Sequence, residues 1–442
     1  MRFGTDGVRG VANSQLTPEY ALALGRAAAR ILGGPRMLVG RDPRRSGPLL
    51  EAAFAAGVCA EGVDVELLGV LPTPAVAYRS QSDSVPAAMI SASHNSFEDN
   101  GIKLFAAGGT KLSDETQQRL EAEIESIMSS GSPSTAPVGA AVGEVTAVDD
   151  GDGAYVDHLV GGLDGGRLDG LSVVLDCANG AASAIAGALF ERLGANVEVL
   201  SAEPDGLNIN ASCGSTYPQR LQDAVRAAGA DGGFAFDGDA DRMLAVDANG
   251  VLVDGDQLIA IAAIDLHERG RLVGDTVVVT VMSNLGFRLA MAAAGISVVD
   301  TAVGDRYVLE ALDTGGFVLG GEQSGHIIFR DRATTGDGLL SALVVADVMV
   351  RSGRALSDLA ASAMTRLPQV LRNVRIAAPM PDVALRLAAE IAAAEVELGE
   401  QGRVLVRASG TEPVVRVMVE AVDVAAAEAI VERLSGAVSA LG

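Results

Sequence analysis

Short apolar runs alternate with helical stretches along most of the chain. Three of these runs, Met37 to Val39, Val173 to Leu175 and Val277 to Val279, are each followed by a polar loop, a helical stretch, a glycine and a second apolar run. This order predicts strand-helix-strand units with mostly parallel pairing and right-handed crossovers. Because the spacing differs between the units, they fit either three related α/β domains with mixed sheets or three units of one large sheet.

The chain beyond Gln369 follows another pattern. A strand precedes a helix from Val383 to Glu397, and two adjacent strands, Val404 to Val406 and Val414 to Val419, precede a closing helix from Val424 to Leu441. Adjacent strands flanked by helices predict a smaller C-terminal α+β domain.

The connecting stretches indicate where domains meet. Ser129 to Gly143 is rich in serine, glycine and alanine, which is typical of a linker, and further boundaries are expected near Val253 to Gln257 and near Leu367-Pro368. At 442 residues the chain is too long for a single core. We therefore predict domains at residues 1–150, 151–255, 256–368 and 369–442.

The overall charge narrows the range of partners. With 57 acidic and 33 basic residues, the formal net charge is −24, which argues against nucleic acid or an anionic membrane as a partner. The three cysteines, Cys59, Cys177 and Cys213, have neither paired nor metal-ligand spacing, so a reducing compartment is expected. The absence of a signal peptide and of an uninterrupted apolar run predicts a soluble, cytoplasmic protein.

The densest polar cluster follows the predicted strand Ala87 to Ile90. Ser93 and His94 lie in this cluster, and Asn100-Gly101 predicts a turn into an apolar run that carries Lys103. A serine nucleophile requires a group that takes its proton or stabilises the transferred charge, and the histidine and the lysine are candidates for both tasks. The alternative is a serine turn with a surface lysine.

The choice of basic residues favours the functional reading. Only Lys103 and Lys111 are lysines, and the other basic side chains are arginines. A lysine within the polar cluster indicates a cation whose pKa can be tuned, which arginine cannot provide.

A second cluster consists of carboxylates. Asp237, Asp239 and Asp241 follow an apolar run at every second position, and in an extended backbone alternate side chains point the same way. Their mutual repulsion predicts a hard cation such as Mg²⁺ among them, although a turn of solvated aspartates is the alternative. An EF-hand is excluded because Ala248 stands where its bidentate glutamate should be.

Three further loops offer groups that suit a phosphorylated sugar. The opening F-G-T-D-G-V-R-G carries Arg9 among glycines whose backbone N–H groups can approach an anion. The loop Gly320 to His326 offers a carboxylate, an amide and a hydroxyl for sugar hydroxyls, or it is only a polar connection between strands. The loop Arg407 to Pro413, with Arg416 after it, has the composition of a phosphate cradle without the lysine and helix of a Walker loop.

These loops, in this order, resemble the motifs of the α-D-phosphohexomutase superfamily. The matching stretches are F-G-T-D-G-V-R-G, S-A-S-H-N, D-G-D-A-D-R, V-G-D-R-Y-V, G-E-Q-S-G-H and R-A-S-G-T-E-P, and they extend from Phe3 to Arg416. The resemblance implies four domains around a central cleft, each of which supplies one loop. One departure is Ser96, which replaces a proline that would fix the backbone after the nucleophile.

The resemblance also implies roles for individual residues. Ser93 would carry a phosphoryl group, and this phosphate would bind one Mg²⁺ per subunit together with Asp237, Asp239 and Asp241. The positions that match acid/base and phosphate-stabilising groups are Lys103, His94 and Arg9. The positions that match or adjoin the sugar and phosphate contacts are Asp305, Arg306, Glu322, Ser324, His326, Arg407, Ser409, Gly410, Thr411 and Arg416, with Arg242 next to the metal loop.

The implied activity is an isomerase that interconverts glucosamine 6-phosphate and glucosamine 1-phosphate. It would act through a bound sugar 1,6-bisphosphate, which is also the activator, and would feed UDP-N-acetylglucosamine and cell-wall precursor synthesis. The expected partners are a small sugar phosphate and a second copy in a homodimer. Three alternatives stay open: a phosphoglucomutase or phosphomannomutase, an enzyme whose nucleophile is an aspartate of the Asp237 loop, and a sugar-phosphate binding protein without catalysis.

Overall fold

A computed structural model of the chain describes residues 3–4, 7–130, 136–148, 153–163, 166–408 and 413–441. Within these residues the strands form four sheets. The chain divides into two compact units, Met1–Val281 with Ile296–Ala360, and Met282–Gly295 with Ala361–Gly442. No helix in this part of the chain combines the length and the apolar character that crossing a membrane requires.

The first sheet is mixed. Its strands are β1 (Val8–Val11), β2 (Arg36–Arg41), β3 (Asp64–Val70), β4 (Ala87–Ile90), β5 (Asp99–Ala106), β6 (Thr110–Lys111) and β7 (Val145–Ala147). They lie in the order β1-β5-β4-β2-β3-β7, with β6 beside β5. The pairs β4–β2, β2–β3 and β3–β7 are parallel. The connecting helices are α1 (Pro18–Leu32), α2 (Gly47–Cys59), α3 (Thr73–Asp83) and α4 (Asp114–Ser130).

Local sequence explains how α1 and α2 form and pack. Thr17 accepts a hydrogen bond from the Tyr20 backbone N–H at 3.3 Å, and Pro18 occupies the first turn, where its missing N–H costs nothing. A Cβ on Gly25 would lie 2.2 Å from the Phe54 carbonyl oxygen, so the two helices cross in close backbone contact. This close crossing requires glycine at the contact.

The second sheet has the order β12-β11-β10-β8-β9. Its strands are β8 (Ser172–Asp176), β9 (Asn196–Leu200), β10 (Gly232–Phe236), β11 (Met243–Asp247) and β12 (Leu252–Val253). Strands β10, β8 and β9 are parallel to one another, whereas β11 is antiparallel to both of its neighbours, β10 and β12. The helices of this region are α5 (Gly153–Gly161), α6 (Ala186–Arg192) and α7 (Gln219–Ala228).

The third sheet has the order β14-β13-β15-β16. After α8 (Gly255–Glu268) and β13 (Thr276–Thr280), the chain enters the second unit for α9 (Leu285–Ala293) and returns with β14 (Ser297–Thr301). The remaining elements are α10 (Asp305–Gly315), β15 (Leu319–Gly321), β16 (Ile327–Phe329), α11 (Gly338–Ser352) and α12 (Leu356–Ala363). Strand β13 pairs in parallel with both neighbours, and β16 closes the sheet antiparallel.

The fourth sheet, in the second unit, is fully antiparallel with the order β17-β19-β18. Its elements are β17 (Gln369–Arg375), α13 (Val383–Arg386), α14 (Ala388–Leu398), β18 (Arg403–Ala408), β19 (Val414–Glu420) and α15 (Val424–Leu441). Val415, Val417 and Val419 alternate along β19 and pack into one core with Ile430 and Leu434 of α15. This alternation is that of a strand with one buried face.

The predicted fold class is confirmed, because the three strand-helix-strand units belong to three separate mixed sheets and the C-terminal domain is α+β. The predicted helix from Val383 to Glu397 is two helices that meet at Leu387. The proposed linker lies partly outside the described residues, and it precedes β7 of the first sheet. The bounds of the four predicted domains stay predictions.

The predicted turn at Asn100-Gly101 is wrong, since both residues lie inside β5. The Asn100 Oδ1 accepts from the Gly101 N–H at 2.8 Å, and its Nδ2 donates to Ser46 Oγ at 2.9 Å. A Cβ on Gly101 would lie 2.5 Å from the Ser91 carbonyl oxygen, so glycine serves close strand packing here. The chain turns earlier, between Ser93 and Glu98.

Candidate active site

Two parallel strands of different sheets end at the same place. The loop after β4 carries Ser93, and the loop after β10 carries Asp237. Ser93 Oγ donates a hydrogen bond to Asp237 Oδ2 at 2.5 Å, and both residues are completely buried. Ligand-binding loops of α/β sheets commonly follow the carboxyl ends of their strands, and here two such loops join.

The serine has an unusual backbone conformation. Ser93 has a φ of +52°, in the left-handed region that residues with a Cβ seldom adopt. The Asn95 N–H donates to the Ala92 carbonyl at 3.2 Å, which closes a tight turn with Ser93 in its centre. The Ser93 N–H donates to Ser91 Oγ at 2.9 Å. The turn fixes the direction in which the Ser93 hydroxyl points.

The three aspartates converge, but not in the way the alternation predicts. Carboxylate oxygens of Asp237, Asp239 and Asp241 all lie within 4.8 Å of one another. The loop is a turn rather than an extended segment, because Ala240 has a φ of +55° and its N–H donates to the Asp237 carbonyl at 3.0 Å. The convergence was predicted correctly, and the extended backbone was not.

Cations and hydroxyls compensate part of this negative charge. Lys103 Nζ lies 2.8 Å from Asp239 Oδ2 and 3.0 Å from Asp241 Oδ2, and Thr73 Oγ1 donates to Asp239 Oδ2 at 2.6 Å. Burial and the charges of Asp241 and Asp239 raise the pKa of Asp237 well above its usual value. Burial also opposes ionisation of Asp241, but Lys103 and His326 outweigh it and hold the Asp241 pKa well below its usual value.

Two carboxylate oxygens of the cluster lack a hydrogen-bond donor within the part of the chain that the structure describes. Asp239 Oδ1 and Asp241 Oδ1 are buried and accept no hydrogen bond from any described residue. Unsatisfied buried carboxylate oxygens are costly, and oxygen ligands of this kind suit hard divalent cations. The cluster therefore fits a metal ion such as Mg²⁺.

His94 lies beside the serine. Its Nδ1 is 3.3 Å from Ser93 Oγ. Burial, together with the positive charges of Arg242 and Arg9, lowers the His94 pKa to about 4. The imidazole is therefore neutral near pH 7, and its lowered pKa makes it a weak base there.

A cavity of about 440 Å³ opens next to the aspartate cluster. Its lining combines two cations with several acceptors: Gly4, Gly7, Arg9, Asp241, Arg242, Val303, Gly304, Asp305, Glu322 and His326. The volume lies within the range of small-molecule sites. The sequence-predicted residues that share this cavity are Arg9, Asp241, Arg242, Asp305, Glu322 and His326.

Only some residues of the predicted sugar loop line this cavity. Glu322 Oε1 accepts from the Gly304 N–H at 3.1 Å, which ties the loop to the start of α10. His326 is buried, with its Nδ1 3.8 Å from Asp241 Oδ1 and its Nε2 3.4 Å from Asp305 Oδ2. Ser324 is exposed and does not line the cavity.

Sequence reasoning missed three partners of these residues. Lys111 forms an ion pair with Asp305, and Asp114 forms one with Arg306. Thr73, at the start of α3, contacts Asp239 as described above. The rarity of lysine was a signal that could have identified Lys111, whereas nothing in the local sequence distinguished Thr73 or Asp114.

The arginines of the predicted phosphate cradle lie in the second unit. Arg407 and Arg416 are direct cross-strand partners on β18 and β19. Arg407 Nε is buried without a hydrogen-bond partner among the described residues, and burial together with the Arg416 charge lowers the Arg407 pKa. Ser409, Gly410 and Thr411 lie outside the described residues. The arginine pair fits an anion.

Four domain families match the chain in succession. They are described as phosphoglucomutase/phosphomannomutase alpha/beta/alpha domain I over residues 1–130, domain II over 153–250, domain III over 254–367, and the C-terminal domain over 363–437.

Full-length relatives give a closer comparison. A phosphoglucosamine mutase from Rhodococcus opacus (strain B4) is 53% identical over 447 aligned residues, which cover 99% of each chain. A phosphoglucosamine mutase from Streptomyces griseus subsp. griseus is 54% identical and covers 100% of this chain and 99% of that chain.

Solved structures share the fold. A phosphoglucomutase/phosphomannomutase family protein from Burkholderia thailandensis has a TM-score of 0.81 at 26% identity and covers 99% of this chain and 97% of that chain. The N-acetylphosphoglucosamine mutase of Aspergillus fumigatus, solved in complex with GlcNAc-6P and magnesium, has a TM-score of 0.71 at 20% identity and covers 99% and 95%. The matches agree along the whole length, and the chain therefore belongs to the phosphoglucosamine mutase family of the α-D-phosphohexomutases.

Proposed function

We propose that the chain is an isomerase that interconverts glucosamine 6-phosphate and glucosamine 1-phosphate through a phosphorylated Ser93. The observation that carries this role of Ser93 is the contact of its Oγ with Asp237, beside a neutral His94 and a cavity that two arginines line. A nucleophile of this kind needs a proton acceptor within reach and fixed charges around the transferred group.

The reaction consists of two phosphoryl transfers. In the first, the bond between phosphorus and Ser93 Oγ breaks, a bond to the sugar O1 forms, and the O1 proton leaves to a base while Oγ is reprotonated. The resulting 1,6-bisphosphate turns over, and its 6-phosphate returns to Ser93 by the reverse chemistry. The same bisphosphate, supplied from outside, would phosphorylate Ser93 and act as the activator.

The chain's own groups provide the proton transfers and the positioning. His94, neutral and 3.3 Å from Ser93 Oγ, is placed to form a hydrogen bond with the reacting oxygen. Lys103, which is paired with two aspartates, is suited to donate one or to stabilise negative charge. Arg9 and Arg242 line the cavity and are suited to bind the phosphoryl group near Ser93.

Asp237, Asp239, Asp241 and the phosphate on Ser93 would hold one Mg²⁺ per subunit. When bound, the ion would neutralise charge that develops on the transferred phosphoryl group. Lys103 and Thr73 orient Asp239 for this task through their hydrogen bonds to its Oδ2.

The remaining groups select and hold the substrate. Glu322, Asp305 and His326 offer acceptors and a donor to the sugar hydroxyls, and Ser324 and Arg306 adjoin them. Arg407 and Arg416, with Ser409, Gly410 and Thr411 of the same loop, would bind the phosphate that is not reacting. The assembly proposed for the protein is a homodimer, which light scattering of the purified protein can test.

The deciding experiment is an assay of Ser93→Ala on glucosamine 6-phosphate with Mg²⁺ and a trace of 1,6-bisphosphate. We expect kcat to fall by at least about 1,000-fold, as for loss of other enzymic nucleophiles. Ser96→Ala in the same loop is the matched control and should change kcat by less than about threefold. Normal turnover by Ser93→Ala together with loss of turnover in Asp237→Asn would instead identify an aspartyl nucleophile.

Two further outcomes separate the other candidates. Comparing the 6-phosphates of glucosamine, glucose and mannose distinguishes a phosphoglucosamine mutase from a phosphoglucomutase or phosphomannomutase. A phosphorylated, Mg²⁺-loaded protein that binds all three without turnover would be a sugar-phosphate binding protein, and the proposal would be wrong.

A further inference from the structure

One arginine is enclosed completely within the loop that carries Ser93. Arg44 lies between β2 and α2, and no part of its side chain is exposed. A buried guanidinium is costly unless each of its five N–H groups has an acceptor. Arg44 meets this requirement, because its Nε donates to Asp42 Oδ2 at 2.8 Å and its two terminal nitrogens make four further hydrogen bonds.

These four hydrogen bonds all end on backbone carbonyls, three in the loop that carries Ser93 and one at Asp99, the first residue of β5. Nη2 donates to the carbonyls of Ser93 and Asn95, each at 2.8 Å. Nη1 donates to the carbonyls of Ser96 and Asp99. A single planar group thus holds the loop at three carbonyls and the start of β5 at a fourth. A lysine could not reproduce this, since its ammonium has only three donors and no fixed plane.

A second side chain, from a loop next to the second sheet, donates hydrogen bonds to two of the same carbonyls. Asn210, in the loop between β9 and α7, donates from Nδ2 to the Ser93 carbonyl at 2.9 Å and to the Asn95 carbonyl at 3.0 Å. Asn210 is almost fully buried. The Ser93 carbonyl therefore accepts hydrogen bonds both from the Arg44 guanidinium and from the Asn210 amide.

The conformation of Ser93 explains why such a hold is needed. A φ of +52° is unfavourable for a residue with a Cβ, and it persists only where the surroundings impose it. Ser91 links the same network to Arg44, because its Oγ donates to Asp42 Oδ2 at 2.6 Å and accepts from the Ser93 N–H. The Ser93 N–H is thus linked to Arg44 through Ser91 and Asp42, and the Ser93 carbonyl accepts directly from Arg44.

We propose that Arg44 and Asn210 form a carbonyl clamp that positions Ser93 for phosphoryl transfer. The clamp touches neither substrate nor metal, and acts by holding the Ser93 backbone so that Oγ points at the aspartate cluster and not into the loop. Ser96, which replaces the proline usual in related loops, has its carbonyl held by Arg44, so the clamp also supplies rigidity that the proline would give. This inference rests on the proposed role of Ser93.

The test compares Arg44→Lys with Arg41→Lys. Arg41 belongs to β2, and its side chain donates to Glu51 at 3.2 Å and to the Asp42 carbonyl but, among the described residues, to no carbonyl between Ser91 and Asp99, so it is a matched control. We expect Arg44→Lys to lower kcat per phosphorylated subunit by about 100-fold, the usual cost of misplacing a reacting group by about 1 Å. KM should change by less than about threefold, since substrate contacts remain.

A spectroscopic measurement separates positioning from mere folding. The ³¹P resonance of phosphorylated Ser93 should shift or split in Arg44→Lys and stay unchanged in Arg41→Lys. Equal kcat per phosphorylated subunit and an unchanged resonance in a folded Arg44→Lys would overturn the clamp. Should Arg44→Lys fail to fold, Asn210→Ala decides: a lower kcat at constant KM supports the clamp, and wild-type kinetics reject it.

Failure of the clamp and failure of the proposed function give different results. If wild type and Arg41→Lys carry no phosphate on Ser93 after incubation with glucosamine 1,6-bisphosphate, the role of Ser93 itself is wrong. If both are phosphorylated and active while Arg44→Lys matches them, only the clamp is wrong.

Discussion

Arg407 and Arg416 lie directly opposite each other on neighbouring antiparallel strands. Like charges in this position weaken a sheet by a few tenths of a kcal/mol to about 1 kcal/mol. Burial of the Arg407 guanidinium adds to this cost and lowers its pKa. The pair is therefore a local cost to folding, which a bound anion would offset.

Arg407→Met should separate binding from stability. We expect KM for glucosamine 6-phosphate to rise by about 10- to 100-fold, because a charge-assisted hydrogen bond contributes about 1.5 to 3 kcal/mol. The free energy of unfolding should stay constant or rise, since repulsion with Arg416 disappears. Steady-state kinetics and chemical denaturation measure the two quantities.

Arg372→Met is the control for this substitution. Arg372 lies on β17 of the same sheet, opposite Val417 of β19, and pairs with Glu432 of α15. Its KM should equal that of the wild type. A KM unchanged by Arg407→Met, or raised equally by both variants, would remove the cradle from the proposed site.

At the scale of the elements, the apolar runs before Ser93 and Asp237 predicted the strands that lead into their loops, but not the shape of the loops. The expectation that the two loops share one cleft came from the resemblance to the superfamily and not from the pattern. The turns themselves depend on positive φ at Ser93 and Ala240, which no side-chain pattern encodes. The turn predicted at Asn100-Gly101 was wrong because the glycine is required by the close packing of neighbouring strands and not by a turn.

The start of α11 carries a carboxyl whose ionisation is held back. Asp337 caps this helix by accepting from the Leu340 N–H at 2.9 Å, and Tyr155 donates to it from the second sheet's region. Burial raises the pKa of Asp337 to about 6. Between about pH 4 and pH 6 the folded protein therefore holds a proton here that the unfolded chain releases.

Asp337→Asn should change the pH dependence of stability with a definite sign. In the wild type this residue favours folding at low pH, and the contribution is lost as pH rises toward about 6. Relative to the wild type, Asp337→Asn should thus gain up to about 3 kcal/mol in unfolding free energy between about pH 4 and pH 7. Asparagine still caps a helix, so α11 should be retained.

Chemical denaturation across this pH range measures the difference. Tyr155→Phe is the companion variant, because loss of its hydroxyl removes a hydrogen bond that lowers the Asp337 pKa. In Tyr155→Phe the Asp337 pKa should be higher than in the wild type, so the free energy of unfolding should continue to fall to a higher pH. Parallel pH curves for wild type and Asp337→Asn would show that Asp337 does not titrate in this window.

At the scale of the whole molecule, three sheets of the first unit supply one charge cluster. Lys103 comes from the first sheet, the aspartates from the second, and His326 follows a strand of the third. Sequence could predict the chemistry of each group from its residue type. The pairing of Lys103 with Asp239 and Asp241 depends on how the sheets pack, so it could not be predicted from local pattern.

A cation in this cluster should therefore stabilise the folded protein. We expect Mg²⁺ to raise Tm, since a ligand at 100 times its Kd adds about 2.7 kcal/mol to the unfolding free energy. Asp239→Asn should greatly reduce this shift, because it removes one carboxylate from the cluster. Thermal denaturation with and without Mg²⁺, and after treatment with EDTA, gives the measurement.

Asp223→Asn is the control, because this aspartate is exposed on α7 and pairs only with Arg226 among the contacts of its side chain. Its Mg²⁺ shift should equal that of the wild type. An equal shift from NaCl at matched ionic strength, or an undiminished shift in Asp239→Asn, would argue that the cation does not bind at the aspartates.

The scarcity of lysine has a practical consequence. A reagent that acylates primary amines finds only Lys103 and Lys111 among the side chains of this protein. Lys103 is 3% exposed, and both amines are held against carboxylates of the site. Acylation in the native state should therefore be slow, and its rate would report how often this one region opens.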